Sequence, residues 1–504
     1  MLQSKLITLF RGFNREELKR FEAFLLSPYF NQSEMLIKFF RLIERHHPSF
    51  DSKKLAKEKL YKSLYGDGSY NDTNMRKLVS EMFKQAKTFS AHEKLRNNNL
   101  DASLQKYEWL MDHGVKKVAE AELEVHGLLL DACAKHDNAY YYHRRRHDLL
   151  KFEIATERFR GSEHKLLKDF DIFSHIHSLN RDYVVNSFSL HIYLLTLHKI
   201  YNLPLNEAIL QPLETLTHSY VNKGDAVIDL FFNVFQLVRT NDEKYFFELM
   251  ARFFENSSTV PIQLLWETGV ALENYCIKKI REGDERFSAA VMQIYRFEVE
   301  NNLHLNHGKL SFVYYHNVAV RGAESSELDW TEYFVENNKK YLSEESKEDA
   351  YNYSLAHILF ARKNYRDALR LALSSNIPFF ASKILIKNLV ARAHYELGML
   401  DELQIELDTY RHHLKDERIS DERRQHFQAF INTMRQLAEL KGNHNQEKLM
   451  DLYNQVEAQK GLANRKWFQE KIKELQESPF KRNQERSKSI ILHGSSWPQI
   501  FGRK

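Results

Sequence analysis

At 504 residues and 60.0 kDa the chain is too long for one compact helical core, so it holds either several domains or an array that grows by stacking. With 16 Gly and 8 Pro it lacks the turn residues that a β-sandwich or a doubly wound sheet would need, while 43% hydrophobic and 28% charged residues exclude a chain without a core. The formal charge of +5 sits at one end: from Pro479 to Lys504 six basic residues face one acidic residue, so the preceding body is neutral and shows no general grip for polyanions.

The first helices carry clear punctuation. "NREELKRFEAFLLSPYFN" opens with Asn14 as N-cap and Glu17 three residues on, a capping-box spacing, and ends at Ser27-Pro28, where proline cannot continue a helix. "SEMLIKFFRLIERHHP" is capped by Ser33 and stopped before Pro48, and "KKLAKEKLYKSLYG" is stopped by Gly66. After the loop "GDGSYNDTN", the positions Met75, Leu78, Val79, Met82 and Phe83 form an amphipathic stripe at helical spacing. Asp67, Ser69 and Asn71 alternate as in a calcium loop, but Asp72 replaces the required glycine and Leu78 the closing Glu, so the loop is predicted to cap the next helix. Residues 1–95 are expected to form a helical module that packs against an array rather than one that reads DNA.

From about residue 96 to 475 the pattern is that of an irregular α-solenoid. The stretch "YYYHRRRH", residues 140 to 147, interleaves rings with Arg144, Arg145 and Arg146, which suits stacking on bases and pairing with phosphates. Because Tyr140, Tyr141 and Tyr142 point around a helix, at least one is expected to enter the core. His143 and His147 stand one turn apart, yet the three arginines between them oppose a divalent cation, so a solvated basic face is predicted there. His46/His47, His175/His177 and His412/His413 diverge on a helix and read as surface residues.

Further on, "AHILFARKNYRDALRLALSSNIPFF" sets Tyr365-x-x-Ala368 between two apolar helices, with Ala356 twelve positions ahead of Ala368 and Leu355 beside it. "KNLVARAHYELGMLDELQIEL" repeats the layout with Val390, Ala391, Gly398 and Leu403, and an upstream stretch does so with Val318, Ala319 and Thr331. The small residues at 319, 356 and 391 are 37 and 35 residues apart. This pattern resembles the tetratricopeptide (TPR-like) helical hairpin, a repeat of that length. The resemblance implies an all-α superhelix whose first helices line a concave face and bind an extended peptide there. On these hairpins the residues so implied are Tyr353, His357 and Phe360, then Asn388, Arg392 and Tyr395. Leu403 and Thr331 stand where the family has alanine, which predicts a wider helix crossing, and Pro378 falls two positions before the family's proline. "EKLMDLYNQVEAQ" and "RKWFQEKIKELQE" are expected to cap the array, and residues 476–504 to form a basic, disordered tail.

Catalytic signatures are missing: there is no nucleophile elbow, phosphate-cradling loop or dinucleotide fingerprint, so no cofactor, metal or enzymatic activity is expected. Cys133 and Cys276 are too few for a disulfide framework, the N-terminus lacks the pattern of a signal peptide, and no apolar run reaches membrane-spanning length, which together predict a cytoplasmic protein. Two functions fit. The first is a non-catalytic scaffold that binds an unidentified protein or peptide on the concave face. The second is a nucleic-acid-associated protein that uses Arg144 to Arg146 and the basic tail.

Overall fold

The structure, a computed structural model, describes residues 4–477 apart from 52–54, 67, 163, 167–169, 202, 256–259, 307, 326, 376–379 and 417–420. The chain is all-α. The only strands among the described residues are the two-residue antiparallel pair β1 (Leu305–Asn306) and β2 (Lys309–Leu310). Packing divides the chain into two compact units between Cys133 and Ala134.

The first unit opens with α1 (Lys5–Arg11), α2 (Arg15–Leu26), α3 (Glu34–Glu44) and α4 (Lys57–Tyr65), all of which pack on α5 (Asp72–Arg96). Aromatic rings fill their core. Phe21 meets Phe10, Phe40 and Phe89 at centroid distances of 5.6, 5.0 and 5.3 Å, mostly edge-on or tilted as the ring quadrupoles prefer. The Asn14 capping box is complete: Asn14 Oδ1 accepts from the Glu17 amide at 2.9 Å, and Glu17 Oε2 accepts from the Asn14 amide at 2.7 Å. Asn14→Ala strips one of these bonds and is expected to lower stability by about 1 kcal/mol in urea unfolding; Asn14→Ser should retain most of it. As the loop reading predicted, Asn71 caps α5, accepting from the Asn74 amide at 3.0 Å. Asp67 lies outside the described residues. The unit continues through α6 (Asn99–Asp112) and α7 (Lys116–Asp131), which pack along one another. Only Asn97 and Asn98 separate α5 from α6, so this pair belongs with the N-terminal helices and the division falls beyond residue 95.

The second unit begins with α8 (Asn138–Arg158) and α9 (Ile172–Tyr201), then α10 (Glu207–His218), α11 (Ala226–Thr240), α12 (Glu243–Glu255), α13 (Ile262–Glu282) and α14 (Arg286–Glu300). Helical hairpins follow: α15 (Phe312–Glu324) with α16 (Leu328–Asn338), α17 (Lys347–Ala361) with α18 (Tyr365–Ser374), and α19 (Phe380–Leu397) with α20 (Leu400–Asp416). After α21 (Asp421–Gly442) and α22 (Gln446–Ala458), a last helix, α23, spans 465–477. Besides its own partner, each first helix touches the next first helix: α15 packs on α17, α17 on α19 and α19 on α21.

The small residues explain this closeness. Ala319, Ala356, Ala368 and Ala391 are wholly enclosed, so neighbouring backbones meet over a methyl group. The wider crossing expected at Thr331 is absent. Gly322 sits opposite it on α15, and a methyl group there would stand 1.9 Å from Thr331 Oγ1, so the larger residue on one helix is matched by none on the other. Gly398, at φ +75°, turns the chain between α19 and α20. Residues 459–466 then return across earlier helices. The Gly461 amide donates to Arg281 O at 3.2 Å, Asn464 Nδ2 donates to Glu324 Oε1 at 2.9 Å, and Lys466 pairs with Glu285 at 2.7 Å.

Candidate functional site

The hydrophobic core of the second unit falls into two clusters, and they meet at α17. Ile358 belongs to the one that runs back to Tyr141, and Ala356 and Phe360 to the one that runs forward to Ile472. At that join the first helices of three successive hairpins place polar side chains together. His316 from α15 lies 5.5 Å from the ring of Tyr353 on α17, and Tyr353 lies 4.9 Å edge-on from His357. From α19, Arg392 stacks over Phe360 at 4.6 Å, and its Nε donates to the Asn388 carbonyl at 3.4 Å. Arg321 pairs with Glu324 at 2.8 Å on the rim, where Asn464 also bonds Glu324.

Five of the six residues implied by the hairpin resemblance thus gather here; Tyr395 does not. It packs on Trp467 of α23 at 5.3 Å and lies under Lys441, which donates to its carbonyl. The open concave surface expected for the six must be corrected. Tyr353, His357, Phe360, Asn388, Arg392 and Tyr395 are each at most 9% exposed. Residues 388 to 395 are buried without a break because α19 is flanked by α17, α18, α20 and α21. The returning segment 459–466 closes on Glu324 beside them.

Enclosure sets the electrostatics. Burial depresses the Arg392 guanidinium to about 10, with Glu324 opposing the effect and Arg321 adding to it. Among the described residues no carboxylate pairs directly with Arg392. Burial drives His316 down to about 4 and His357 well below the usual imidazole range, the latter aided by Arg392, so both rings are neutral at physiological pH. Arg321, Arg392 and Glu324 therefore leave the cluster with an excess of positive charge. Tyr353 Oη, His357 Nε2, Asn388 Oδ1 and Ser354 Oγ have no hydrogen-bond partner among the described residues. Interiors rarely tolerate that many orphaned polar atoms around an uncompensated cation. The arrangement can accept a hydrogen-bonding anion.

Sequence reasoning missed His316, Arg321 and Glu324. A signal existed for the first: His316 stands three residues before Ala319, as Tyr353 does before Ala356 and Asn388 before Ala391.

The basic stretch on α8 departs from its expected form. His143 and His147 are buried rather than on a solvated face, and Arg144 to Arg146 are half-buried. Arg145 pairs with Asp182 of α9 at 2.7 Å and lies over Tyr142, while Arg144 lies over Tyr140. Tyr141 enters the core and donates to Asp225 at 2.7 Å, as the helical geometry required. Arg145 thus ties α8 to α9, and the cation–ring contacts of Arg144 and Arg145 stay within α8. The basic tail from residue 478 and Pro378 lie outside the described residues. Cys133 donates to the Leu129 carbonyl at 3.4 Å, and Cys276 is a buried thiol.

A second polar cluster lies deeper, where α13, α14 and α15 meet. Glu273 and Glu298 approach within hydrogen-bonding reach of one another, and Tyr314 Oη donates to Glu298 Oε2 at 2.8 Å. Gly269 makes room: a methyl there would stand 1.9 Å from Glu298 Oε1. Burial raises both carboxyls, Glu298 to about 7, and the charge of Glu298 pushes Glu273 up further. Oε1 of each has no donor among the described residues, which a shared proton remedies. Its walls are Tyr295, Cys276 and Gly269, and both carboxyls are buried, so the pair has the chemistry of a proton store without an approach for substrate. Among the described residues no group of His, Cys, Asp or Glu could hold a metal ion, and no helix is long and apolar enough to cross a membrane. Comparison with family models, curated proteins and solved structures finds no match for this chain.

Proposed function

We propose that residues 312–477 form a tetratricopeptide-like, non-catalytic interaction scaffold whose first helices hold an acidic group of a protein or peptide partner. Support for the array comes from the order of packing, in which α15, α17 and α19 lie side by side and α16, α18 and α20 each back their own partner. One observation carries the choice of ligand: Arg392 is buried without an ion-pair partner among the described residues, beside the Tyr353 hydroxyl, which has no acceptor there either. A carboxylate of the partner would supply the missing charge and, at once, an acceptor for the Tyr353 hydroxyl. Entry requires residues 459–466 to shift, and the polar contacts of Asn464 and Lys466 that hold them lie at the surface and are individually weak. The nucleic-acid alternative has less support, since Arg145 is already paired with Asp182.

Arg392→Met separates ligand binding from structure. Replacing an uncompensated buried cation by an apolar residue of similar reach should raise stability by about 1 kcal/mol in urea unfolding. The same variant should lose binding of acidic peptides, measured by fluorescence polarisation in about 150 mM salt so that the tail's charge is screened. A variant that is destabilised, yet binds the peptides as well as the natural chain, rejects this site.

A further inference from the structure

The longest helix, α9, buries one apolar face and exposes another. Val184, Val185, Phe188 and Leu195 are enclosed, on the side from which α9 packs against α8 and α11. On the opposite side Ile176, Leu179, Tyr183, Leu190 and Tyr193 are between 45% and 71% exposed. With the exposed Asn186 they fall at 176, 179, 183, 186, 190 and 193, steps of three and four in strict alternation. That is a period of 3.5, the spacing of a seam between two wound helices and not the 3.6 of a helix lying on a core. An isolated exposed leucine needs no explanation, but a two-and-a-half-heptad row does.

We infer that α9 pairs with α9 of a second copy of this chain. The borders of the seam identify the partner. Charged residues there would select an oppositely charged helix and repel an identical one, yet Asn180, Ser187, Ser189, Leu194 and Thr196 are uncharged. The one acid on that border, Asp182, is held by Arg145 of the same chain. Asn186 lies near the middle of the row, the place at which a single polar layer fixes helix register at a cost in affinity. The five apolar residues leave on the order of 500 Å² open, so a self-pair buries on the order of 1,000 Å², enough for a weak, specific dimer.

Sedimentation of the full chain tests this directly. The natural protein should dimerise reversibly in the micromolar range. Leu190→Glu should weaken the dimer at least about tenfold, and Asn186→Leu should tighten it by about as much. Both side chains are exposed, so circular dichroism should be unchanged in each variant. A monomer at about 100 μM, or a dimer indifferent to both substitutions, overturns the inference. A monomer in which cross-links join α9 to residues 478–504 overturns it too, and gives the face to the chain's own end.

Discussion

Glu298→Gln is expected to stabilise the protein by about 3 kcal/mol at pH 8 and to change little at pH 4. The reason is the raised pKa of a carboxyl enclosed by α13, α14 and α15. Its ordinary value is 4.5 and its folded value about 7, so between these limits the folded chain holds a proton that the unfolded chain releases. Stability must then fall as pH rises from 4.5 to about 7 and stay low above that window. Glutamine keeps the neutral shape, its oxygen still accepts from Tyr314, and its amide nitrogen can donate to Glu273. The groups facing the pair are Tyr295, Tyr314 and Cys276, and none is a cation that would reward an ionised Glu298. Urea unfolding at a series of pH values checks this. The natural chain should lose more stability across the window than the variant, in which only Glu273 of the pair still titrates; a variant weaker than the natural chain at pH 8 would show that the carboxylate has a counter-ion.

Gly322→Ala is expected to destabilise the second unit by about 2 kcal/mol. Two effects compete. Alanine is the better helix former by about 1 kcal/mol, which favours the variant in the middle of α15. Against it, the new methyl would stand 1.9 Å from Thr331 Oγ1 and 2.9 Å from both its Cβ and Cγ2. Forcing apart a close-packed seam costs about 3 kcal/mol, so the clash wins. Thr331 cannot simply rotate away, because its hydroxyl donates to the Glu327 carbonyl at 2.7 Å and its side chain is enclosed. Adding Thr331→Ala to the variant should recover most of the loss, since the methyl then fills the space that the threonine vacates. A double-mutant cycle with coupling below about 0.5 kcal/mol would mean the two helices do not meet at this pair.

These two sites also show where sequence reasoning stops. Thr331 was recognisable as a departure from alanine, yet a wider crossing was the natural expectation, because Gly322 lies on another helix and acts only across the seam. The carboxyl pair was invisible for the same reason. Glu273 and Glu298 are 25 residues apart among 68 acidic residues, and nothing local distinguishes them. The Arg392 cluster was half legible. Equal offsets from the alanines of successive hairpins located Tyr353, His357, Asn388 and Arg392 as one group, since stacked repeats bring equivalent positions together. Their exposure was not legible, because a repeat pattern says which residues share a face and not whether the chain returns to cover it.

What the sequence by itself determined is the local order. Scarce glycine and proline, the caps at Asn14 and Asn71, the stop at Gly66 and the small residues at 319, 356 and 391 specify helices, their ends and their pairing. Each of these acts within a few turns of backbone. Only the tertiary structure decided which polar residues are enclosed, that Arg144 and Arg145 are engaged by Asp182 and tyrosine rings, and that α9 carries a second, open apolar face. Burial and ion pairing depend on segments 30 to 140 residues away, such as Asp182 for Arg145 and Asn464 for Glu324, and a pattern read along the chain contains no distance across it.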